Sequence, residues 1–269
     1  MVSVGCHVDQ NDPVGAAQER GAQAVQIQLG DPQSWSKPEV VYPGGAEALK
    51  EAAQAAGIKL YVHAPYVINV ASPNNKIRIP SRKLLQQSID AAASIGASGV
   101  VVHGGHVRKE DDPAAGFDNW RKAAEGLKLA CPVFIENTAG GDHAMARHLT
   151  ALQSLWTAIE GHEIGFCLDT CHAFAGGEPV QDVVAKILEI TGRIDLVHAN
   201  DSQGALGSGR DRHANFGTGL IAPEDLATAL RAAAEAGADF ICETPGDAAA
   251  QAADIVWAKE QIGSAAVKA

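Results

Sequence analysis

The sequence predicts an α/β fold, namely a single-domain (β/α)8 TIM barrel. Short runs rich in Val and Ile recur along the whole chain, and each is followed by an Ala-rich segment with helical spacing. Eight such runs occur, which is the strand number of this barrel. The length of 269 residues lies in the usual range for one α/β barrel. An open, doubly wound parallel sheet is the alternative, but eight alternating units close most economically into a barrel.

Each predicted strand is a short, nearly continuous apolar run, as expected for parallel strands covered by helices. In chain order the runs are Val2–Val8, Ala24–Leu29, Lys59–His63, Gly99–His103, Val133–Asn137, Ile164–Asp169, Asp195–Asn200 and Asp239–Glu243. The helical stretches are Ala46–Ala56, Ser81–Ile95, Asn119–Leu129, Met145–Ile159, Val180–Ile190, Pro223–Ala236 and Ala249–Ile262. No linker or shift in composition interrupts the chain, so we expect one domain over residues 1–269.

Four long irregular stretches directly follow predicted strands. They are Asp31–Gly44, Tyr66–Pro80, His106–Asp118 and Ser202–Ile221. Because the loops after barrel strands share the carboxyl-end face, we expect the functional site on that face.

Composition and charge exclude several classes of protein. The chain has 21 Lys and Arg against 32 Asp and Glu, a formal charge of −11, which excludes a generally basic protein that coats nucleic acid. Apolar residues make up 46% of the chain, too many for a disordered one. No apolar run approaches the roughly 18 residues that span a bilayer, so we expect a cytoplasmic protein without a membrane partner. The five scattered cysteines predict reduced, buried thiols.

Histidines and carboxylates stand at the ends of the predicted strands and in the loops that follow. The nine candidate metal ligands are His63, His103, Glu136, Asp169, His172, His198, Asp211, His213 and Glu243. Parallel strand ends ring one mouth of a barrel, so these side chains should meet. Imidazole and carboxylate ligands without thiolate suit zinc, with manganese or iron as substitutes. Nine ligands are too many for one ion, and three ions bridged by glutamates would use them all.

Each of these residues alone has an ordinary structural interpretation, because a single histidine at a strand end commonly belongs to the core or the surface. Repetition favours the metal interpretation: six strand ends independently carry His, Asp or Glu. Cys167 and Cys171 flank Asp169, but a thiol within an apolar strand is better interpreted as a buried core residue. The sequence therefore predicts a multinuclear hydrolytic site.

Five segments then resemble the endonuclease IV family, the zinc-dependent apurinic/apyrimidinic endonucleases, over nearly the whole chain. They are His63-Ala-Pro-Tyr66-Val-Ile-Asn69, Ile135-Glu136-Asn137-Thr138-Ala-Gly140, Cys167-Leu-Asp169-Thr-Cys171-His172-Ala-Phe174, His198-Ala-Asn200-Asp201-Ser202 and Gly209-Arg-Asp211-Arg212-His213. The resemblance implies a trinuclear zinc centre. It assigns His63, His103 and Glu136 to the first ion, Glu136, Asp169, His198 and Glu243 to the second, and His172, Asp211 and His213 to the third.

The implied activity is hydrolysis of the phosphodiester 5′ to an abasic nucleotide in duplex DNA, leaving a 3′-hydroxyl and a 5′-deoxyribose phosphate. Glu136 and Glu243 are the implied catalytic residues, which hold the bridge between ions, and no protein nucleophile is required. The implied partner is duplex DNA with abasic sites or blocked 3′ ends, bound by a monomer.

The implied DNA contacts lie in two loops. Tyr66, Val67 and Asn69 belong to a segment that wedges the duplex in the family, although buried aromatic packing is the alternative for Tyr66. Arg210 and Arg212 are the first candidates for phosphate contacts. Three Zn2+ ions would reduce the formal charge from −11 to −5, with the gain at the mouth.

The chain departs from the family pattern in two loops, and in one of them Gly104-Gly105 replaces a Pro-Gly pair after the fourth-strand histidine. Where the family commonly has Asn-Pro-Arg before a tryptophan, this sequence has Asp31, Pro32 and Gln33 before Trp35. Without the arginine, we expect Asp31 and Gln33 to repel the DNA backbone or fail to bind it at this loop.

Two other functions compete with the endonuclease. A sugar isomerase or epimerase of the same barrel superfamily would use four residues around one manganese or similar ion, namely Glu136, Asp169, His198 and Glu243. That function leaves five candidate ligands without a purpose. A lesion-binding protein without catalysis is the second alternative, which the intact ligand set disfavours.

Overall fold

A computed structural model describes residues 2–141 and 143–263 of the chain. The predicted domain, 1–269, includes Met1, Asp142 and residues 264–269, which lie outside the described residues, so its exact bounds stay a prediction.

The described residues form a closed barrel of eight parallel strands with helices outside it, which confirms the predicted TIM barrel. The strands of the described residues are β1 Val4–His7, β2 Ala24–Ile27, β3 Lys59–His63, β4 Gly99–His103, β5 His106–Val107, β6 Val133–Glu136, β7 His143–Ala144, β8 Ile164–Asp169, β9 Leu196–His198, β10 Asp201–Ser202, β11 His213–Ala214 and β12 Asp239–Cys242. Around the barrel the order is β1-β2-β3-β4-β6-β8-β9-β12. The open sheet is excluded because Gly5 of β1 pairs with both Ala24 of β2 and Ile241 of β12.

All eight predicted strands are present, and their ends lie within two residues of the predicted ends. Four further strands of two residues each were not predicted. They form two antiparallel ribbons in the loops of the mouth, β5 with β7 and β10 with β11.

The helices of the described part are α1 Pro13–Glu19, α2 Gly45–Ala56, α3 Asn75–Ser94, α4 Pro113–Ala124, α5 Leu149–Ala158, α6 Thr170–Gly176, α7 Val180–Thr191, α8 Pro223–Glu235 and α9 Ala248–Gly263. The short helices α1 and α6 were not predicted from the sequence. None of the helices in 2–141 and 143–263 is both long and apolar enough to cross a lipid bilayer.

Three predicted helix starts were wrong. Helix α3 begins at Asn75 rather than Ser81, because the Asn74 side chain accepts a hydrogen bond from the Lys76 N–H at 2.9 Å and starts the helix before Pro80. Helix α4 begins at Pro113 rather than Asn119, since Asp112 caps it in the same way. Helix α5 begins at Leu149 rather than Met145, because the Met145 N–H donates to the Gly105 carbonyl across the two loops.

Alternation along the strands fills the barrel in layers. One layer is apolar and forms a hydrophobic cluster separate from the main core: Ala24, Tyr61, Val101, Phe134, Cys167, Leu196 and Ile241. Side chains two residues further along a strand point the same way. The next layer toward the carboxyl ends is therefore a polar ring: Gln26, His63, His103, Glu136, Asp169, His198 and Glu243.

Glycines at strand positions allow close packing inside the barrel. A Cβ on Gly99 would lie 2.3 Å from the Phe134 ring, and one on Gly165 would lie 2.7 Å from the same ring. At Gly5 a Cβ would lie 1.5 Å from the Ala24 carbonyl oxygen on the neighbouring strand. Gly5 therefore sets the distance between β1 and β2.

Gly5→Ala is expected to lower the free energy of unfolding by about 3 kcal/mol, since the obstacle is backbone that cannot move without disturbing the ladder. The matched control is Gly126→Ala, whose added Cβ would have its nearest neighbour at 3.6 Å. Urea denaturation measures both variants. Equal stability of Gly5→Ala and wild type would contradict the tight fit between β1 and β2.

Candidate metal centre

Six of the nine candidate ligands are held by barrel strands. Five are the last residues of their strands, and Glu243 directly follows β12. The five are His63, His103, Glu136, Asp169 and His198. The other three ligands lie beyond the barrel strands, His172 in α6, Asp211 in the loop after β10, and His213 in β11. Ser202 of β10 pairs with His213 of β11, and this ribbon turns the loop back over the mouth.

The structure gathers all nine side chains into three groups whose ligand atoms lie within 4.8 Å of one another. The groups are His63 with His103 and Glu136, then Glu136 with Asp169, His198 and Glu243, and His172 with Asp211 and His213. Their membership is the same as in the three predicted sites. Glu136 joins the first two groups: its Oε2 lies 3.2 Å from His63 Nε2, and its Oε1 lies 3.0 Å from His198 Nδ1.

His172 reaches the mouth because α6 begins where β8 ends. The sequence pattern predicts a loop after this strand, and the structure has a helix there instead. The Asp169 carboxylate caps this helix and accepts a hydrogen bond from the His172 N–H at 2.7 Å. One carboxylate therefore both starts α6 and contributes to the second group.

Two buried asparagines, whose role was not predicted from the sequence, link the ligands through hydrogen bonds. The Asn137 side chain exchanges two hydrogen bonds with the Asp169 backbone, at 2.7 and 2.9 Å. Asn200 donates to Asp169 Oδ2 at 2.8 Å and accepts from the Glu243 N–H at 2.8 Å. Both asparagines follow a ligand within two positions in the motifs, which was the available signal.

A third anchor, Asp201, holds the loop that carries Asp211 and His213. It is fully buried, and its carboxylate accepts hydrogen bonds from four backbone N–H groups. The donors are Ser202, Gly217, Gly219 and Ile221, at 2.7–3.1 Å. These contacts fix both ends of the segment from Ser202 to Ile221. The segment was predicted as a loop, and it is irregular except where β10 and β11 pair.

Hydrogen bonds to backbone carbonyls set the tautomer of three histidines. His63 Nδ1 donates to the Ala64 oxygen at 2.7 Å, and His172 Nδ1 donates to the Asn137 oxygen at 3.0 Å. His213 Nδ1 donates to the Glu243 oxygen at 3.2 Å. Because a carbonyl only accepts, the hydrogen of the neutral imidazole is on Nδ1, and its Nε2 lone pair then faces the cluster. Metal-bound histidines are oriented in the same way.

Two of these Nε2 atoms fit a metal ion better than any protein partner. His172 Nε2 and His213 Nε2 are buried and make no hydrogen bond within the described residues. They lie 3.1 and 3.2 Å from the two oxygens of Asp211. Two imidazole nitrogens and a carboxylate directed at one point form a zinc-type donor set. The residues therefore fit the predicted ion.

The charged groups shift one another's pKa values. Burial raises the pKa of the Glu243 carboxyl, but the imidazoles of His198 and His213 outweigh it and lower the pKa to about 2. Burial lowers the pKa of His213, whereas the carboxylates of Asp169 and Asp211 raise it to about 9. The carboxylates thus favour positive charge at the imidazoles, and a divalent cation would compete with those protons.

The thiols near the cluster are protonated core residues. Burial raises the pKa of both Cys167 and Cys171 to about 12. Cys171 also lies within 4.8 Å of ligand atoms of Asp169 and His213. Its Sγ faces the Arg212 carbonyl oxygen at 3.7 Å.

A cavity of about 490 Å3 opens beside His103 and is lined in part by Trp35, Tyr66 and Val67. The Tyr66 ring stacks on the His103 imidazole, with 5.7 Å between centroids and 11° between planes. Its side chain is still 49% exposed. Tyr66 thus packs against a candidate ligand and presents its outer surface to whatever enters the mouth.

The other predicted DNA-contacting residues differ in how free they are. The Asn69 amide is engaged within the protein, since it donates to the His106 oxygen at 2.8 Å and accepts from the His106 N–H at 3.2 Å. Arg210 and Arg212 are exposed next to Asp211, and the Arg212 guanidinium donates to the Asp211 carbonyl at 2.7 Å. The arginines therefore have more capacity for new contacts than Asn69.

Comparison with known proteins gives the family. Residues 14–261 match the model of the xylose isomerase-like TIM barrel family. The chain is 54% identical over 263 residues to the probable endonuclease 4 of Mycobacterium marinum, covering 97% of this chain and 99% of the relative. It is 53% identical over 261 residues to the probable endonuclease 4 of Mycobacterium tuberculosis, with 97% and 99% covered.

Solved structures agree with this assignment. The endonuclease IV of Thermus thermophilus superposes with a TM-score of 0.83 at 28% identity, over 97% of this chain and 99% of that one. A D-tagatose 3-epimerase-like protein gives a TM-score of 0.73 at 21% identity, over 97% and 96%, which shows a shared fold only. From these matches, the chain belongs to the endonuclease IV family and is a hydrolase of the nuclease class.

Proposed function

We propose that this protein incises duplex DNA on the 5′ side of abasic sites during base excision repair, by means of three zinc ions. The products would be a 3′-hydroxyl and a 5′-deoxyribose phosphate. The observation that carries the proposal is the set of three His/carboxylate groups at one barrel mouth, two of which share Glu136. Its relatives are named as probable endonuclease 4, which supports an activity on the phosphodiester backbone.

The residues that would hold the ions are the three groups as the structure gathers them, with Glu136 common to two of them. Zinc ions bound there would supply Lewis acidity and activate water for attack on phosphorus at neutral pH. Manganese or iron are the proposed substitutes.

The protein itself contributes orientation and charge. Glu136 and Glu243 keep ionised carboxylates in the middle of the cluster, because neighbouring imidazoles lower the pKa of both. Asn200 holds Asp169 and the Glu243 backbone in place, so the carboxylates need no reorganisation when the substrate arrives. The proposed reaction uses no protein nucleophile, and the Cys171 thiol beside Asp169 and His213 stays protonated because burial raises its pKa to about 12.

The mouth would bind the damaged strand. Tyr66 and Val67 border the cavity beside His103 and would fill the space left in the duplex by the missing base. Arg210 and Arg212 would contact phosphates, and Asn69 would act by holding the Tyr66 loop against β5. DNA with blocked 3′ ends is the second proposed substrate, and a monomer leaves this face open.

Glu243→Gln should reduce nicking of a duplex that carries one reduced abasic-site analogue by at least about 100-fold, because changes beyond the direct ligands already cost about 10–100-fold. The matched control is Glu235→Gln, an exposed change near the opposite barrel end that should leave nicking unchanged. The measurement is the yield of labelled, extendable 3′-hydroxyl ends, with undamaged duplex alongside.

Outcomes of this assay separate the competing functions. Cleavage 5′ to the lesion by wild type supports the endonuclease, and the reduced sugar excludes lyase chemistry. If zinc-loaded wild type binds the lesion duplex without cutting it, the lesion-binding function is favoured. If it neither binds nor cuts, the sugar isomerase is favoured.

Asp211→Asn is expected to lower bound zinc from three ions per chain to two, because the third group depends on this carboxylate. Asp182→Asn, on the exposed surface of α7, is the control and should retain three. Elemental analysis after dialysis gives the stoichiometry. A single ion in the wild type would contradict the trinuclear centre and favour the isomerase.

Arg212→Gln should weaken DNA binding and reduce the slope of log K against log salt by about 0.9, as expected for one lost phosphate contact. The control is Arg231→Gln, which lies near the opposite end of the barrel. Fluorescence anisotropy at several salt concentrations measures the slope. An unchanged slope would exclude Arg212 as a phosphate contact.

A further inference from the structure

Two side chains at the level of the polar ring belong to none of the three metal groups. They are His7 of β1 and Gln26 of β2, the first two strands in the chain. Gln26 has no exposed surface at all. A buried amide costs free energy unless its hydrogen bonds are made, so its partners carry information.

The contacts of Gln26 fix the orientation of its amide. Its Nε2 lies 2.6 Å from Glu243 Oε1, and an ionised carboxylate only accepts, so this atom is the amide nitrogen. The same Nε2 lies 3.2 Å from His7 Nδ1, which uses the second hydrogen. The amide oxygen is then left facing the imidazole of His198, with 2.8 Å between Gln26 Oε1 and His198 Nε2.

This last contact decides which nitrogen of His198 is free. An amide oxygen only accepts, so the hydrogen of the neutral imidazole is on Nε2. The lone pair is then on Nδ1, which lies 3.0 Å from Glu136 Oε1 and 3.3 Å from Glu243 Oε2. His198 therefore presents Nδ1 to the second group, whereas His63, His172 and His213 present Nε2.

His198 also differs from these histidines in the group that accepts its hydrogen bond. His63, His172 and His213 donate to backbone carbonyls, which no substitution of a side chain removes. For His198 the partner of Nε2 is a side chain, that of Gln26, and the same side chain holds a carboxylate oxygen of Glu243. One amide thus orients two ligands of the same group.

We propose that Gln26 is a positioning residue for the second metal group, which fixes His198 with its hydrogen on Nε2 and holds Glu243 so that both direct ligand atoms at one cation. This inference rests on the proposed function, since it concerns the same centre. Gln26 touches no substrate and acts through His198 and Glu243.

The test compares Gln26→Met, which keeps the length but makes neither hydrogen bond, with Gln26→Glu, which keeps an acceptor at the same reach. Gln54→Met is the matched control on the exposed surface of α2. Two readouts do not depend on catalysis: zinc affinity by competition with a chelator, and the tautomer of His198 from 15N–1H spectra of zinc-saturated protein.

Gln26→Met should weaken the binding of one zinc ion by about 10–100-fold, leave the other two unchanged, and lose the Nε2–H signal pattern of His198. Gln26→Glu should retain that pattern, and Gln54→Met should match wild type in both readouts. If Gln26 only filled space, its replacement would lower the stability of the protein. Gln26→Met and Gln26→Glu would then not differ in zinc affinity or in the His198 signals.

Wild-type zinc affinity and His198 signals in Gln26→Met would overturn the inference and leave the proposed function intact. If Gln26→Met does not fold, as judged by circular dichroism, Gln26→Glu decides: loss of the Nε2–H pattern contradicts the inference, and its retention supports it. A wild type that binds no zinc would instead contradict the proposed function.

Discussion

The two-residue alternation of side chains along parallel strands is the constraint on which this molecule depends. It turns every second residue into the barrel, so an apolar layer at one level requires that the residues two positions later meet at the next level. The step from Phe134 to Glu136 shows the principle, and Leu196 to His198 repeats it on another strand. The apolar layer also closes the interior below the ligands, and Glu136, Asp169 and His198 are almost fully buried. Strong pKa shifts in the cluster follow from this burial and from the opposite charges of neighbouring carboxylates and imidazoles.

Polar residues around the ligands limit the number of arrangements available to the cluster. Asn137 and Asn200 link neighbouring strand ends, Asp201 fixes the loop, and Gln26 spans two ligands across the mouth. Each of these side chains makes at least two hydrogen bonds, as buried polar groups require. A negatively charged protein can therefore concentrate a divalent site at one face, and the net charge of −11 says little about that face.

Much of the fold and most of the ligand set could be predicted from sequence because both follow from periodicity. Eight apolar runs and a ligand at the end of six of them need no tertiary information beyond closure of the barrel. Helix starts were less predictable, because the capping residues Asn74 and Asp112 act through single local hydrogen bonds that composition does not reveal. Asn74 also starts its helix ahead of Pro80, a residue that usually marks a helix start or break. Gln26 was missed because an amide inside an apolar run resembles an ordinary strand residue. Its role exists only through contacts with Glu243, far away in the chain.

Closure between β1 and β12 has a consequence for how the protein matures. Gln26 and Glu243 are 217 positions apart in sequence, and the last barrel strand must dock before they can meet. Such non-local contacts form late and slowly, since a long loop must be closed first. During synthesis, most of the ligands emerge from the ribosome before the strand that completes their pocket. The proposed centre therefore needs the closed barrel, and a chain that lacks β12 and Glu243 lacks the geometry to make it.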